Sequence, residues 1–242
     1  MSRRWRIAVG ALVLAVLVGG ATLGGLYYHG VLTWNEPSRD AYPVRGVDVS
    51  SYQGQIDWPV LADQGIDFAF IKATEGSSFV DPRFADNWTA ANQTDLAVGA
   101  YHFFSAESPG ATQAANFVAT VPVEPGMLPP VVDVERYGDV DAARTELQAL
   151  LDALEAHYGQ RPIIYTTDGL YDAFVHDFVG HYPLWIRSIW RPPALGGQWT
   201  FWQYSNRGRL DGYDGPERFI DLNVFSGTHI QLDALRSPRR PH

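Results

Sequence analysis

The feature that most constrains the fold of this chain is an alternation of strand-like and helix-like segments that begins near Arg45. Short runs rich in Val, Ile and aromatic residues alternate with longer segments whose apolar residues recur every three or four positions. Such alternation predicts βα units and a parallel sheet. The predicted strands are Arg45–Ser50, Phe68–Thr74, Ala97–Phe104, Leu128–Glu135, Pro162–Thr167, Tyr182–Ser188, Thr200–Ser205 and Phe219–Phe225.

Helical patterns lie between the first six of these strands, whereas the links after the sixth and seventh strands are rich in Pro and Gly. The clearest helical pattern ends at Tyr158, just before Gly159. The predicted helices are Asp57–Gln64, Pro82–Gln93, Pro109–Val121, Asp139–Tyr158 and Gly169–Phe178. Eight strands in the part of the chain that begins at Arg45 predict an α/β fold, an irregular (β/α)8-like barrel with some outer helices missing. An open, doubly wound sheet is the alternative.

The N-terminus carries a different pattern. Three arginines between residues 3 and 6 precede an uncharged run from Ile7 to about Tyr28, and about 20 such residues span the core of a bilayer. We expect a retained transmembrane helix with a cytoplasmic basic flank, which puts the rest of the chain on the extracytoplasmic side. A signal peptide cut near Ala21, which would release a secreted protein, is the alternative.

These patterns divide the chain into four segments. Residues 1–28 form the basic flank and the anchor, residues 29–44 a polar linker, residues 45–232 the barrel and residues 233–242 a tail. The chain contains no Cys, which excludes disulfides, thiolate metal sites and a Cys nucleophile. The net charge of −9 argues against nucleic acid as a partner, and we expect a monomer.

Residues 129–137, which read PPVVDVERY, carry the strongest chemical signal. Asp133 and Glu135 lie two positions apart on the predicted fourth strand, so they project from the same face while Val132 and Val134 face the other way. Two carboxyl groups at close range keep one group protonated and the other ionised. Glycoside hydrolysis uses this arrangement. The structural alternative is a strand end with two solvated acids.

Acids and polar aromatic residues recur at the carboxyl ends of the other predicted strands, where parallel barrels place their active sites. Each of them alone has a structural explanation, as a turn cap, a core residue or a surface acid, but together they predict a substrate site. These residues are Asp48, Glu75, Tyr101, His102, Asp133, Glu135, Tyr165, Trp185, Trp202, Gln203, Tyr204 and Asp221. We expect His102 to be a hydrogen-bonded core residue rather than a base.

Other catalytic motifs are absent from the sequence. No HExxH or HxxxH spacing exists among the seven histidines, which argues against a zinc hydrolase. The chain has no GxSxG elbow, no phosphate-binding P-loop and no GxGxxG after a strand. We therefore expect neither a metal nor a cofactor.

Eight short motifs, in this order along the chain, resemble glycoside hydrolase family 25. They are VDVSSYQG (Val47–Gly54), IKATEG (Ile71–Gly76), GAYHF (Gly99–Phe103), VVDVE (Val131–Glu135), IIYT (Ile163–Thr166), LWI (Leu184–Ile186), WQYS (Trp202–Ser205) and DLNVF (Asp221–Phe225). The resemblance covers residues 45 to about 226. The segment RSIWRPPALGG after LWI departs from the family pattern, which affects the expected contacts to outer sugars.

The resemblance implies a flattened, irregular β/α barrel and a lysozyme (N-acetylmuramidase) that cleaves the β-1,4 bond after N-acetylmuramic acid in peptidoglycan glycan strands. It implies that Glu135 is the general acid and that Asp133 is the companion carboxylate, acting as nucleophile or orienting the substrate acetamido group. Both routes retain the anomeric configuration. Asp48 and Asp221 complete the acidic ring. The candidate substrate-binding residues are Glu75, Tyr101, Tyr165, Trp185, Trp202 and Gln203.

Two other functions are compatible with the same residues. A barrel could bind the cell wall without hydrolysing it, although all four acids of the ring are present. A chitinase-type glycosidase also uses paired acids.

Overall fold

The structure is a computed structural model that describes residues 2–135, 138–176, 182–195 and 197–237. The chain divides into two compact units, and the division falls between Trp34 and Asn35. The first unit is built on helix α1, Arg3–Tyr28, and the second unit contains the strands.

Helix α1 has 26 residues, so it is about 39 Å long at a rise of ~1.5 Å per residue. The Ser2 hydroxyl caps the first turn by accepting a hydrogen bond from the Trp5 N–H at 3.4 Å. None of the residues of α1 is buried, and the most apolar window has a mean hydropathy of 2.3. This length and composition fit the predicted membrane-spanning helix, and they fit an N-terminal signal sequence equally well.

The second unit alternates strands and helices for most of its length. The strands are β1 (Arg45–Val49), β2 (Phe68–Glu75), β3 (Phe79–Val80), β4 (Ala97–Phe103), β5 (Val131–Val134), β6 (Ile163–Thr167), β7 (Leu184–Arg187), β8 (Phe201–Gly208) and β9 (Ile220–Phe225). The helices are α2 (Trp58–Ala62), α3 (Phe84–Ala91), α4 (Gly110–Thr120), α5 (Val140–Tyr158), α6 (Asp168–Leu170) and α7 (His229–Leu235), with a 3₁₀ turn at Ser51–Gln53 and a π-helical turn at Tyr171–Val175.

Eight of the strands close a barrel in the order β1-β9-β8-β7-β6-β5-β4-β2, and β1 pairs with β2 to complete it. The irregular eight-stranded barrel is as predicted, and the described parts of the β7–β8 and β8–β9 links contain no helix. The prediction of a wholly parallel sheet is wrong, because β9 runs antiparallel to both β8 and β1. A parallel connection needs a crossover of about a dozen residues or more, whereas the β8–β9 link spans only residues 209–219 and returns the chain in the opposite direction.

Strand alternation separates two apolar cores. Side chains that point outward from the strands, such as Val132, pack in the layer between the barrel and the helices, whereas Phe68, Phe70 and Phe201 fill the barrel interior. A Cβ at Gly99 would lie 2.5 Å from the Phe70 ring, so this glycine makes room for the interior aromatic residues. Because aromatic rings occupy the first inward positions of the strands, polar inward side chains lie at the carboxyl ends.

The compact barrel unit begins earlier than the sequence predicted. Residues 35–44 belong to this unit, whereas the sequence predicted a linker over residues 29–44. The ring of Tyr42 explains the difference, because it packs against Trp199 and Trp202 at centroid distances of 5.6 and 5.9 Å.

The C-terminal boundary also differs from the prediction. Helix α7 continues to Leu235, past the predicted end of the barrel at residue 232, and residues 238–242 of the predicted tail lie outside the described residues. The predicted helix Gly169–Phe178 corresponds to α6 and the π-helical turn that follows it, with Phe178 outside the described residues.

Candidate active site

A cavity of about 390 Å³ opens at the carboxyl ends of the parallel strands. Barrels of parallel strands place their active sites at this end. Among the described residues, five acids and two bases line the cavity, so the charge of this part of the lining is negative. The lining residues are Asp48, Val49, Ser50, Tyr52, Gln53, Lys72, Tyr101, Phe103, Asp133, Glu135, Tyr165, Trp185, Arg187, Gln203, Asn206, Glu217, Phe219 and Asp221.

Asp133 and Glu135 enter this cavity together from the end of β5, while the valines on either side of Asp133 are buried in the outer core. Glu135 is partly exposed, and its Oε1 lies 3.4 Å from the Tyr165 hydroxyl oxygen. Asp133 Oδ1 is buried and has no hydrogen-bond partner among the described residues. Burial raises the pKa of Asp133 well above its usual range, and the negative charges of Glu135 and Asp48 raise that pKa further.

This geometry differs from the predicted protonation of the pair. The sequence predicted an ionised Asp133 beside a protonated Glu135, whereas burial favours a proton on Asp133. Spacing along a strand shows that two acids share a face, but it does not show which of them is covered by other strands. Burial therefore favours the neutral form of Asp133, the carboxyl group with the unpartnered oxygen.

Asp48 on β1 and Asp221 on β9 form a second acid pair, because they are direct neighbours in the antiparallel ladder and their carboxyl groups share a hydrogen bond. Asp48 also accepts hydrogen bonds from Gln203 Nε2 at 2.9 and 3.2 Å and from Asn223 Nδ2 at 2.7 Å. Since Asp48 is the acceptor of these bonds, Asp221 carries the proton of the pair. Burial raises the pKa of Asp221 well above its usual range, and the charge of Asp48 adds to this effect.

A chain of hydrogen bonds fixes the donors around Asp48. The Trp185 indole N–H donates to Asn223 Oδ1 at 2.9 Å, and the Tyr165 hydroxyl donates to Gln203 Oε1 at 3.0 Å. Each amide therefore presents its NH₂ group to Asp48. Trp185 and Tyr165, which the sequence predicted as substrate contacts, thus also hold the acidic ring in place.

Two cations lie in the cavity wall. Lys72 Nζ is 2.7 Å from Glu75 Oε2 and 5.2 Å from the ring centroid of Phe103. Arg187 is the last residue of β7. The positive charges of Lys72 and Arg187 lower the pKa of Asp133, but burial has the larger effect on this group.

Eight of the ten predicted site residues line the cavity, as the alternation of side chains along the strands requires. The catalytic candidates among them are Asp48, Asp133, Glu135 and Asp221. The predicted substrate contacts among them are Tyr101, Tyr165, Trp185 and Gln203.

The structure corrects two predicted substrate contacts. Trp202 precedes Gln203 on β8 and therefore points to the opposite face, where it is 1% exposed in the outer core and donates its indole N–H to the Ser188 carbonyl at 2.9 Å. Glu75 is not in the cavity lining; its half-exposed carboxylate instead forms an ion pair with Lys72. Glu75 therefore affects the cavity through the lysine that it holds.

His102 is an interior residue, as expected. Its Nδ1 lies 2.7 Å from Thr74 Oγ1 and its Nε2 lies 3.0 Å from Gln113 Oε1. Burial lowers the pKa of His102 to about 4, so the imidazole is neutral at pH 7.

Sequence reasoning missed several residues of the site. Asn223 and Arg187 follow Asp221 and Trp185 by two positions, so the alternation that found the β5 acids would also have found them. Asn206 lies on β8 beyond the end that the sequence predicted for that strand. Tyr52 in the 3₁₀ turn and the loop residues Glu217 and Phe219 also line the cavity, and no periodicity in the sequence reports where such segments fold.

Comparisons with known proteins agree with this geometry. Residues 47–213 match the family described as "Glycosyl hydrolases family 25". The chain is similar to YegX of Escherichia coli (strain K12), at 40% identity over 81% of this chain and 74% of YegX, and to Lysozyme M1 of Streptomyces globisporus, at 33% identity over 81% of this chain and 72% of that protein. It is also similar to the structure of a family 25 glycosyl hydrolase from Bacillus anthracis, with a TM-score of 0.76 and 47% identity over 83% of this chain and 96% of that chain.

Proposed function

Because this chain belongs to glycosyl hydrolase family 25, we propose that it cleaves the β-1,4 bond between N-acetylmuramic acid and N-acetylglucosamine in peptidoglycan. The chain is a glycosidase of the lysozyme type and a peptidoglycan hydrolase. The observation that carries the finer proposal is the carboxyl pair at the end of β5, in which Asp133 has a buried oxygen without a donor among the described residues.

Glu135 is the proposed general acid. It is partly exposed in the cavity wall, so it can reach the oxygen of a departing sugar. The Tyr165 hydroxyl lies 3.4 Å from Glu135 Oε1 and helps to hold the carboxyl group in place. Proton donation to the leaving oxygen accelerates such reactions by ~10²–10⁴-fold.

Asp133 is the proposed partner of the substrate acetamido group. Its buried Oδ1 lacks a donor among the described residues, and the acetamido N–H of a bound sugar can supply one. A hydrogen bond of this kind favours the ionised form of Asp133, so the proton of the β5 pair passes to Glu135 when the substrate binds. This redistribution of the proton leaves the acid and the carboxylate in the states that hydrolysis requires. The hydrogen bond from the acetamido N–H to Asp133 supports acetamido participation over direct attack by Asp133.

Retention of configuration follows from both routes, because each passes through a bonded intermediate on one face of the sugar. An NMR time course of cleavage should therefore show the β-anomer as the first product. The α-anomer as first product would contradict the proposed role of Asp133.

Mass spectrometry of fragments released from purified cell wall tests the proposed bond. The expected products end in a reducing muramic acid, and the Glu135→Gln variant should release far less of them. Fragments that end in reducing glucosamine would contradict the proposal. Wall binding without release would identify a binding barrel, and preferential cleavage of soluble chitin oligomers would identify a chitinase-type enzyme.

We further propose that the protein is a monomer anchored by α1, with the barrel on the extracytoplasmic side. The uncharged run from Ile7 to Tyr28, which follows the three arginines in the first turns of α1, supports this arrangement. The full-length protein should pellet with membranes and resist extraction by high salt, while a shortened chain that starts at Asn35 should be soluble and active. Recovery from the medium of a mature form that lacks residues 1–30 would contradict the anchor.

A further inference from the structure

Arg187 lies in the wall of the active-site cavity, at the carboxyl end of β7. It follows Trp185 by two positions, so both side chains point into the barrel and Arg187 is one step nearer the open end. Its neighbours across the sheet are Thr167 on β6 and Gln203 on β8. The partly buried guanidinium therefore borders the same space as the acids.

The guanidinium of Arg187 has no ion pair and donates no hydrogen bond within the part of the chain that the structure describes. The other cation of the cavity is different, because Lys72 Nζ lies 2.7 Å from Glu75 Oε2. Arg187 nevertheless lowers the pKa of the three aspartates in the cavity, so its charge acts on them from a longer distance. An unpaired guanidinium beside a substrate cavity is a site for an anion.

We propose that Arg187 binds a carboxylate carried by the glycan strand and that this contact makes the enzyme specific for muramyl glycans. The proposal rests on the hydrolase function proposed above. A muramyl unit differs from glucosamine by a lactyl ether, whose carboxyl group is either free or joined to a stem peptide with carboxylates of its own. A guanidinium holds a carboxylate through two parallel N–H···O bonds, which gives geometric as well as electrostatic selectivity.

The charge of the cavity makes this contact necessary for an anionic ligand. In the described part of the chain, five acids and two bases line the cavity, and one of these bases, Lys72, is already paired. Like charges repel strongly where water is partly excluded, so a carboxylate on the ligand needs a counter-charge in the wall. Arg187 supplies that counter-charge, whereas a neutral chitin chain has no group that would use it.

A purely internal role for Arg187 would give a different result. If the guanidinium served only to favour the ionised form of the aspartates, its removal would change the binding of every glycan, charged or neutral. The experiment must therefore vary the charge of the ligand as well as that of the protein.

Calorimetric titration of the full-length chain in detergent, carrying Glu135→Gln so that the ligand survives, measures this contact. The three ligands are a peptide-bearing glycan strand, a peptide-free strand with free lactyl carboxylates, and the same peptide-free strand converted to uncharged methylamides. Arg187→Gln is added to test the contact. Arg191→Gln is the matched control, because Arg191 is exposed and is not part of the cavity lining.

Arg187→Gln should weaken the binding of carboxylate-bearing strands by about 10-fold or more and leave the binding of the methylamide strand unchanged, while Arg191→Gln should change neither. If Arg187→Gln weakens the binding of both charged strands, the contact is to the lactyl carboxylate where that group is free. If it weakens only the binding of the peptide-bearing strand, the contact is to a carboxylate of the stem peptide. Equal loss on charged and uncharged strands, or no loss, would overturn the proposal. Charge-dependent binding by a wild-type chain that cleaves no wall would instead refute the hydrolase function alone.

Discussion

The two acid pairs of the cavity differ in how fully the protein itself satisfies them. Asp48, paired with Asp221 across β1 and β9, accepts hydrogen bonds from two amide side chains that are themselves held in place. The pair on β5 has fewer partners in the described part of the chain. Asp133 Oδ1 has no donor there, and Glu135 has a long contact to a tyrosine hydroxyl.

This difference indicates which pair does the chemistry. A buried carboxylate oxygen without a donor costs free energy, and a fold tolerates that cost where a ligand supplies the missing bond. Asp48 is already satisfied, so the Asp48–Asp221 pair has little to gain from a substrate. The comparison therefore assigns the reaction to the β5 pair and the support of the site to the β1–β9 pair.

The largest effect is expected from Glu135→Gln. The amide keeps the shape of the side chain but cannot donate the proton, so activity on natural wall should fall by ~10²–10⁴-fold. An aryl glycoside with a good leaving group needs little protonation, and on this substrate the variant should recover much of its rate. Initial rates on the two substrates provide the measurement.

Asp133→Asn should also lower activity by at least ~10²-fold, because it removes the charge that stabilises the transition state and presents an NH₂ group to the acetamido N–H. The aryl glycoside should not restore its activity, since the lost interaction acts on the sugar and not on the leaving group. Rescue of Asp133→Asn without rescue of Glu135→Gln would show that the roles of the two acids are reversed.

Asp48→Asn tests the supporting pair and should have a smaller effect. The new amide opposes the NH₂ groups of Gln203 and Asn223, so it disturbs the hydrogen bonds that lead to Tyr165 and Trp185. Activity should fall by about 10-fold, the scale of one hydrogen bond to a charged group. The Asn223→Ala variant should lose activity to a similar extent in the same assay. If Asp48→Asn lost as much activity as the Glu135 and Asp133 variants, the distinction between the two acid pairs would be wrong.

Asp221→Asn should have the smallest effect on activity, because the amide NH₂ can replace the carboxyl proton that is donated to Asp48. Its effect on stability depends on pH. The pKa of Asp221 in the folded protein lies well above its ordinary value of 3.8, so the folded state holds a proton that the unfolded state releases, and the free energy of unfolding falls as the pH rises through this window.

The variant lacks this titration, so its melting temperature should exceed that of the wild-type protein at neutral pH, and this advantage should vanish as the pH falls to 3.8. In a domain of this size, the melting temperature should rise by roughly 2–4 °C for each kcal/mol that the substitution adds to the free energy of unfolding. Thermal unfolding at several pH values measures it. A difference in melting temperature between the variant and the wild-type protein that does not change with pH would contradict the raised pKa of Asp221.

The sequence by itself determined the features that depend on near neighbours along the chain. The two-residue period of a strand brought Asp133 and Glu135 to one face. The capping of α5 was equally local, since Asp139 accepts the Ala142 N–H at 2.9 Å and Gly159 adopts a φ of 67° at the other end.

Only the tertiary structure decided which acids are satisfied, because their partners come from distant parts of the chain. Asn223 is 175 positions from the Asp48 that it stabilises, and Gln203 is 155 positions from it. The same holds for the burial that raises the pKa of Asp133 and for the direction of β9, since both depend on how the barrel closes. Spacing along a strand determines the face from which a side chain projects. Its burial and its hydrogen bonds depend on the side chains from distant strands that pack against that face when the barrel closes.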